Sequence, residues 1–238
     1  MRHLVYCILR ARPPWRGRLP EGVEGTPIVL VTEDALAAAV SRVSELNRTA
    51  DAARATAYAD AIAVLLRRRT VLPMRYGCLL PSETQVHEFL RVRRAEFGAL
   101  LDQVDGCVEM GVRVLLATAG RPVGDDGGRT NEVGSGVAYL AARRAAYACR
   151  DAERETVAAA RSVVERTFSG LSVQSRATQA VIGPHVLMSL YFLIRRGQIG
   201  AFRGEFRRLQ ERVGYRLLVS GPWAPYSFVA PQETEVVS

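Results

Sequence analysis

Lysine is absent from this 238-residue chain, so all 32 of its basic side chains are arginines. A GC-rich coding sequence is the simplest source of that bias. Long hydrophobic runs are missing too: no stretch approaches the ~20 apolar residues that a bilayer-crossing helix needs. The opening "MRHLVYCILRARPPW" has an apolar core only from Leu4 to Leu9 and no small-residue cleavage site, so it is not expected to be a signal peptide, and a cytoplasmic protein is the default. Histidine is scarce. His3, His87 and His185 form no HxxxH or HExxH pair and stand near no cysteine at ligand spacing, which argues against a metal centre. Cys7, Cys78, Cys107 and Cys149 include no CxxC pair, and three lie in or beside apolar runs. They are expected to be small buried residues, not disulfides.

Nucleophilic and phosphate chemistry are poorly served as well. There is no GxSxG elbow, and Gly134-Ser135-Gly136 opens a helix, where Ser135 suits an N-cap better than a nucleophile. "GRPVGDDGG" lacks GK[ST], and its Asp125-Asp126 would repel a phosphate. No catalytic, cofactor-binding or metal-binding residue is therefore assigned, no cofactor is expected, and an enzyme is not expected.

Charge is what the chain does have. A net charge of +8 and a pI near 9.8 would suit nucleic acid or an acidic partner. The arginines, however, are spread along the chain among carboxylates. Their densest groups, Arg67–Arg69, Arg93-Arg94, Arg143-Arg144 and Arg207-Arg208, are short and read as solvated helix faces.

Hydrophobic periodicity orders the elements. A strand over His3–Leu9 and a Pro/Gly/Arg-rich loop precede Pro27–Thr32 and Ala35–Val43, which read as a hairpin although the alanines would equally allow a short helix, and a helix follows over 50–68. Thr70–Leu80 reads as one strand, bulged or at a sheet edge because Pro73 cannot donate to a ladder. Ser82 with Gln85 makes a capping box for a single helix whose apolar face runs from Val86 to Val104, with Arg93 its one polar interruption. Cys107–Leu116 alternates Val108, Met110, Val112 and Val114 on one face with Glu109, Gly111 and Arg113 on the other. After a glycine-rich loop (119–132), a long helix from about Val133 to Thr167 carries the stripe Val137, Ala141, Ala145, Ala148, Ala152, Thr156, Ala159, Val163. A half-polar strand at Ser169–Ala177, an all-apolar central strand at His185–Arg195, a helix from Gln198 to Arg212 and a final strand "YRLLVSG" complete the order.

From Cys107 onward this order is βαββαβ, the split-βαβ, ferredoxin-like arrangement. The expected fold class is α+β in two domains: a small mixed α+β unit over 1–105 and a ferredoxin-like unit over 106–238. RNA-recognition domains share that order but need exposed aromatics on the two central strands. "CVEMGVRVLL" has none, and Tyr191 and Phe192 sit in an unbroken apolar run expected to be covered. A nucleic-acid-binding ferredoxin-like protein using the net positive charge remains the alternative reading.

Aromatics are few, yet nine residues near the end, "SGPWAPYSF" (Ser220 to Phe228), hold three of them. This segment and "VLPMRYGCLL" (Val71 to Leu80) strongly resemble the GvpF/GvpL family of gas vesicle proteins, with its "GPW-x-PY-x-F" ending and its "LP-[aliphatic]-R-[aromatic]-G" strand. The matching residues are Gly221, Pro222, Trp223, Pro225, Tyr226 and Phe228, with Leu72, Pro73, Met74, Arg75, Tyr76 and Gly77. "EMGVRV" (Glu109 to Val114) falls in the matching order, and the likeness covers essentially the whole chain. Ala224 stands where a further proline is common, and Met74 and Tyr76 replace the frequent Leu and Phe.

The resemblance implies a non-enzymatic accessory or minor structural protein of gas vesicle assembly. Its implied partners are the small apolar shell protein and other vesicle proteins, met on the gas-facing side of the shell, with no small-molecule substrate and no membrane. Trp223, Tyr226 and Phe228 either fold back as a lock or face a partner, and Gly-Pro-Trp at a strand end favours Trp223 as a cap on the core. Arg75, between Met74 and Tyr76, is expected to pair with an internal carboxylate.

Overall fold

The computed structural model describes residues 1–44, 51–117 and 136–229, with side chains at all of them except 136–139, 141, 142, 146 and 149. The expected glycine-rich loop, the Ser135 cap, the first helical turn from Val133 and the side chains of Val137, Ala141 and Cys149 therefore lie outside the described residues. The fold is mixed α+β with two antiparallel sheets. Its contacts divide the chain into two compact units: 1–110 with 193–197 and 221–238, and 111–192 with 198–220.

In unit 1, strand β1 (Arg2–Arg10) is the sheet's centre, and His3 to Leu9 are buried on both faces. It pairs antiparallel with β3 (Leu36–Val43), which pairs with β2 (Val29–Glu33) across a turn where Asp34 takes φ 51. On its other side β1 pairs with two short strands, β4 (Leu72–Pro73) and β5 (Leu79–Leu80), where one strand was expected. The break is local chemistry. Pro73 withholds a ladder donor, and Gly77, at φ 89, turns the chain between the two pieces.

The β1–β3 register slips by one residue between Val5 and Cys7, leaving Tyr6 as the extra residue of a bulge. Helix α1 (Ala52–Arg68), capped by the Asp51 carboxylate on the Ala53 N–H, buries Tyr58, Ala61, Ile62, Leu65 and Leu66 and packs on β1.

The helix expected from Ser82 onward is two helices, α2 (Glu83–Val92) and α3 (Arg94–Gln103). Ser82 does cap the first, accepting from the Gln85 N–H at 3.3 Å. The break falls on Arg93, at φ −99 and ψ 17. Its guanidinium pairs with Glu96 and lies 4.6 Å from the Phe97 ring centroid and 5.3 Å from that of Phe89. An arginine held over two rings beside an acid at i+3 is accommodated by a bend that leaves Val86, Leu90, Phe97 and Leu101 buried.

Strand β6 (Cys107–Ala117) departs from the expected alternation, because Cys107 through Val112 are all buried, Glu109 included. In unit 2, helix α4 (Gly136–Phe168), strands β7 (Ser172–Ile182) and β8 (His185–Arg195), helix α5 (Ile199–Arg212) and strand β9 (Arg216–Trp223) follow, and the sheet order is β7-β8-β6-β9. The core of this unit is an aromatic triad. Phe168 stacks on Phe202 at 4.1 Å, and Phe192 sits 5.1 Å from Phe168 and 5.6 Å from Phe202.

The buried stripe of α4 is displaced from the expected one: Ala160, Val164 and Phe168 are buried, while Ala145, Ala148, Ala152, Thr156 and Ala159 are exposed. Alanines on every side give the helix little contrast between faces, so the larger Val164 and Phe168 decide which face turns inward. Strand β8 is central as expected, but Val186, Met188 and Leu190 alternate with half-buried Leu187, Ser189 and Tyr191 before the run Phe192–Ile194 is buried outright.

Candidate protein-interaction site

The two motif segments meet inside unit 1, around the bulge in β1. Freed from β3, the Tyr6 carbonyl accepts from the Met74 N–H at 2.9 Å. The Tyr58 hydroxyl, arriving from α1, is 2.8 Å from the Val5 carbonyl, 2.9 Å from that of Met74 and 3.2 Å from that of Tyr6. One phenolic proton is thus shared among the carbonyls of two neighbouring strands. Its ring stacks on Tyr6 at 4.8 Å and meets Tyr76 edge-on at 5.2 Å.

The far end of Tyr6 is also fixed, since its hydroxyl accepts from the Val23 N–H at 2.8 Å and shares a hydrogen bond with Ser41 Oγ at 3.0 Å. The motif strand is therefore seated by a tyrosine ladder. Burial pushes the Tyr58 hydroxyl well above the ordinary phenol range, and the same cause raises Tyr76.

The terminal motif is seated by β6. Gly221, at φ 106 and preceding a cis Pro222, approaches so closely that a Cβ there would lie 2.7 Å from the Glu109 carbonyl and 3.0 Å from Met110 Sδ. Past the strand end, helix α6 (Tyr226–Val229) packs on β4, which brings the terminal motif against Leu72-Pro73. The Glu109 side chain, 5% exposed, accepts from the Ser227 N–H at 2.8 Å and from its hydroxyl at 2.9 Å. Ala224, Pro225 and Phe228 are buried, and Phe228 is only 2% exposed.

Two rings are left at the surface of this clamped segment. Trp223 is 48% exposed and Tyr226 36%, so the expectation of Trp223 as a cap on the core is overturned, and Phe228 takes that part. The reason is geometric. Ala224, Pro225 and Phe228 fill the inward positions, leaving 223 and 226 outside. Tyr226 keeps an apolar footing, for burial pushes its hydroxyl upward, with Cys7 and Glu109 adding to the shift.

Of the other motif residues, Pro73 pairs with Cys7, Tyr76 supports Tyr58, and Gly77 makes the turn. Arg75 lies at the surface, not inside, and its carbonyl accepts from the Cys78 N–H at 3.2 Å.

Glu109, Tyr6 and Tyr58 organise the site, yet none was singled out from sequence for that role. The available signal was the one carboxylate of β6, since Glu109 opens "EMGVRV". Among the described residues no group of three or more His, Cys, Asp or Glu could hold a metal ion, and no helix is long and apolar enough to cross a membrane.

A family model described as "Gas vesicle synthesis protein GvpL/GvpF" matches residues 2–230. Gas vesicle protein L of Streptomyces sp. (strain CB03234) is 28% identical over 98% of this chain and 94% of its own length. Gas vesicle protein F of the same strain is 30% identical over 94% and 98%. In fold, the chain is similar to the crystal structure of gas vesicle protein GvpF from Microcystis aeruginosa, with a TM-score of 0.75 at 12% identity over 97% of this chain and 99% of that one. It is likewise similar to GvpF from Anabaena sp. PCC7120, with a TM-score of 0.77 at 15% identity and 97% coverage of both.

Proposed function

The chain belongs to the GvpL/GvpF family of gas vesicle synthesis proteins, and from that premise we propose that it is a non-enzymatic accessory or minor structural protein of gas vesicle assembly. It binds the small apolar shell protein and other vesicle proteins, and acts at the gas-facing surface of the shell. The strand order β7-β8-β6-β9 supports reading the second half of the chain as a ferredoxin-like scaffold.

One observation carries the binding reading. Trp223 and Tyr226 stay at the surface of a segment whose backbone is clamped by Glu109 and packed on β4. Rigid, amphipathic rings of this kind lose little conformational freedom on docking and are enriched at interface hot spots. A shell subunit with an apolar face needs such a partner to stay out of aggregates.

The test is co-purification of the tagged chain with the shell protein. Trp223→Ala/Tyr226→Ala is expected to lose at least about tenfold of the co-purified shell protein while melting close to wild type, because truncating half-exposed rings leaves the core intact. Equal recovery by the double variant would overturn these two rings as the contact. A wild-type chain that runs as a clean monomer and ignores all vesicle proteins would overturn the binding function itself.

A further inference from the structure

A second surface of unit 1 lies at the other end of α1 from Tyr58, about 15 Å away along the helix axis. Here the chain gathers arginines around one indole. Trp15, in the loop after β1, has the Arg68 guanidinium 5.6 Å and the Arg69 guanidinium 5.3 Å from its ring centroid. Arg68 donates to the Arg16 carbonyl at 2.8 Å and Arg69 to the Arg10 carbonyl at 3.2 Å. Arg196 reaches the carbonyls of Leu66 and, at 2.9 Å, of Arg69, while Arg195 donates to the Asp105 carbonyl at 3.2 Å.

The chemistry of those bonds matters. A backbone carbonyl satisfies a guanidinium N–H but does not neutralise its charge. Asp102, paired with Arg10, and Asp105, beside Arg196, are the carboxylates among these contacts. Five guanidiniums (10, 68, 69, 195, 196) against two aspartates leave an excess of three positive charges in one place. The α1 C-terminal dipole offsets only about half a charge. Arg68 and Arg195 remain exposed, and Arg69 is half-buried.

We propose that this arginine face docks an acidic segment of a partner protein, with carboxylates seated on Arg68 and Arg69 beside Trp15. Guanidiniums already fixed by carbonyls present planar forks suited to carboxylates, with little further ordering on binding. A nucleic-acid strand is the poorer occupant. Two guanidiniums lie over Trp15, and a strand binder needs ring faces on which bases can stack. The face is separate from the Trp223–Tyr226 surface, so either can fail without the other.

The experiment measures fluorescence anisotropy of a labelled hexaglutamate peptide with the full chain at about 50 mM NaCl, where surface charge is only partly screened. Binding is expected to weaken about tenfold in Arg68→Gln/Arg69→Gln. It is expected to hold in Arg154→Gln/Arg161→Gln, a pair of exposed α4 arginines whose loss changes net charge equally. A peptide that does not bind, or losses that are equal in the two double variants, would overturn the proposal. So would tighter binding of a six-nucleotide oligothymidine. If Arg68→Gln/Arg69→Gln melts early, Arg195→Gln carries the same reading, and undiminished peptide binding by that variant counts against the face.

Discussion

Gly221→Ala is expected to damage unit 1 far more than Gly77→Ala, although both replace a motif glycine at positive φ. Gly77 sits at φ 89 with nothing within 4 Å of a built Cβ. Its substitution therefore costs only the backbone strain of an alanine in that region, about 1–3 kcal/mol. Gly221, at φ 106, carries the same kind of strain and also sets a methyl 2.7 Å from the Glu109 carbonyl and 3.0 Å from Met110 Sδ. The carbonyl belongs to a central strand and cannot swing aside like a long side chain. Overpacking of this type adds about 1–3 kcal/mol. The two variants should thus differ by about 2 kcal/mol, roughly 1 M in urea midpoint at the slopes usual for domains of this size. Both tryptophans, Trp15 and Trp223, lie in unit 1, so intrinsic fluorescence during urea unfolding reports the relevant transition. Midpoints that coincide within about 0.3 M would refute the claim that the terminal motif is seated by close approach to β6.

Three further expectations follow from the same contacts. Glu109→Gln leaves one Ser227 donor with a weaker acceptor and the other with none, a loss of about 1.5–3 kcal/mol, so amide exchange at Ser227 and Phe228 should quicken about tenfold or more while β1 amides hold steady. Tyr58→Phe keeps the stacked ring but removes the proton shared by the Val5 and Met74 carbonyls. It should lower unit 1 stability by about 1–3 kcal/mol, and a change below about 0.5 kcal/mol would sink the ladder account. Because burial raises Cys7, Tyr58 and Tyr226, the unfolded chain gives up these protons first as pH climbs. Their contribution is therefore complete below the unfolded pKa values and is lost above them, and the urea midpoint should be level near neutrality and fall from about pH 9 upward. A midpoint that rises over that range would contradict the burial.

Much of the fold was legible because strong periodicity sat beside clear punctuation. The buried run His3–Leu9 and the Ser82 cap carry their signal within a few residues, whereas the alanines of β3 suit a helix as well, and its pairing with β2 and β1 decides for a strand. Legibility failed where distant partners override local pattern. Glu109 alternates with Val108 and Met110 as an outward residue should, but Ser227, 118 residues away, draws its carboxylate inward. Arg93 reads as a flaw in one apolar stripe until Phe89, Phe97 and Glu96 are seen around it. On α4, evenly distributed alanines left the inward face undetermined by pattern alone. The site was half visible. Its motif residues stood out by composition, while Tyr6 and Tyr58, which hold them, looked like ordinary core aromatics.

The division of the chain has a consequence for how it is made. Unit 1 joins residues 1–110 with 193–197 and 221–238. A ribosome that has released the first 110 residues has therefore delivered the sheet without Ala224, Pro225 and Phe228, and with the Glu109 carboxylate lacking Ser227. Unit 1 is begun before unit 2 yet closes after it, since unit 2 has all its parts by residue 220. The rings at 223 and 226 are thus set in place only after the whole of unit 2 has been made.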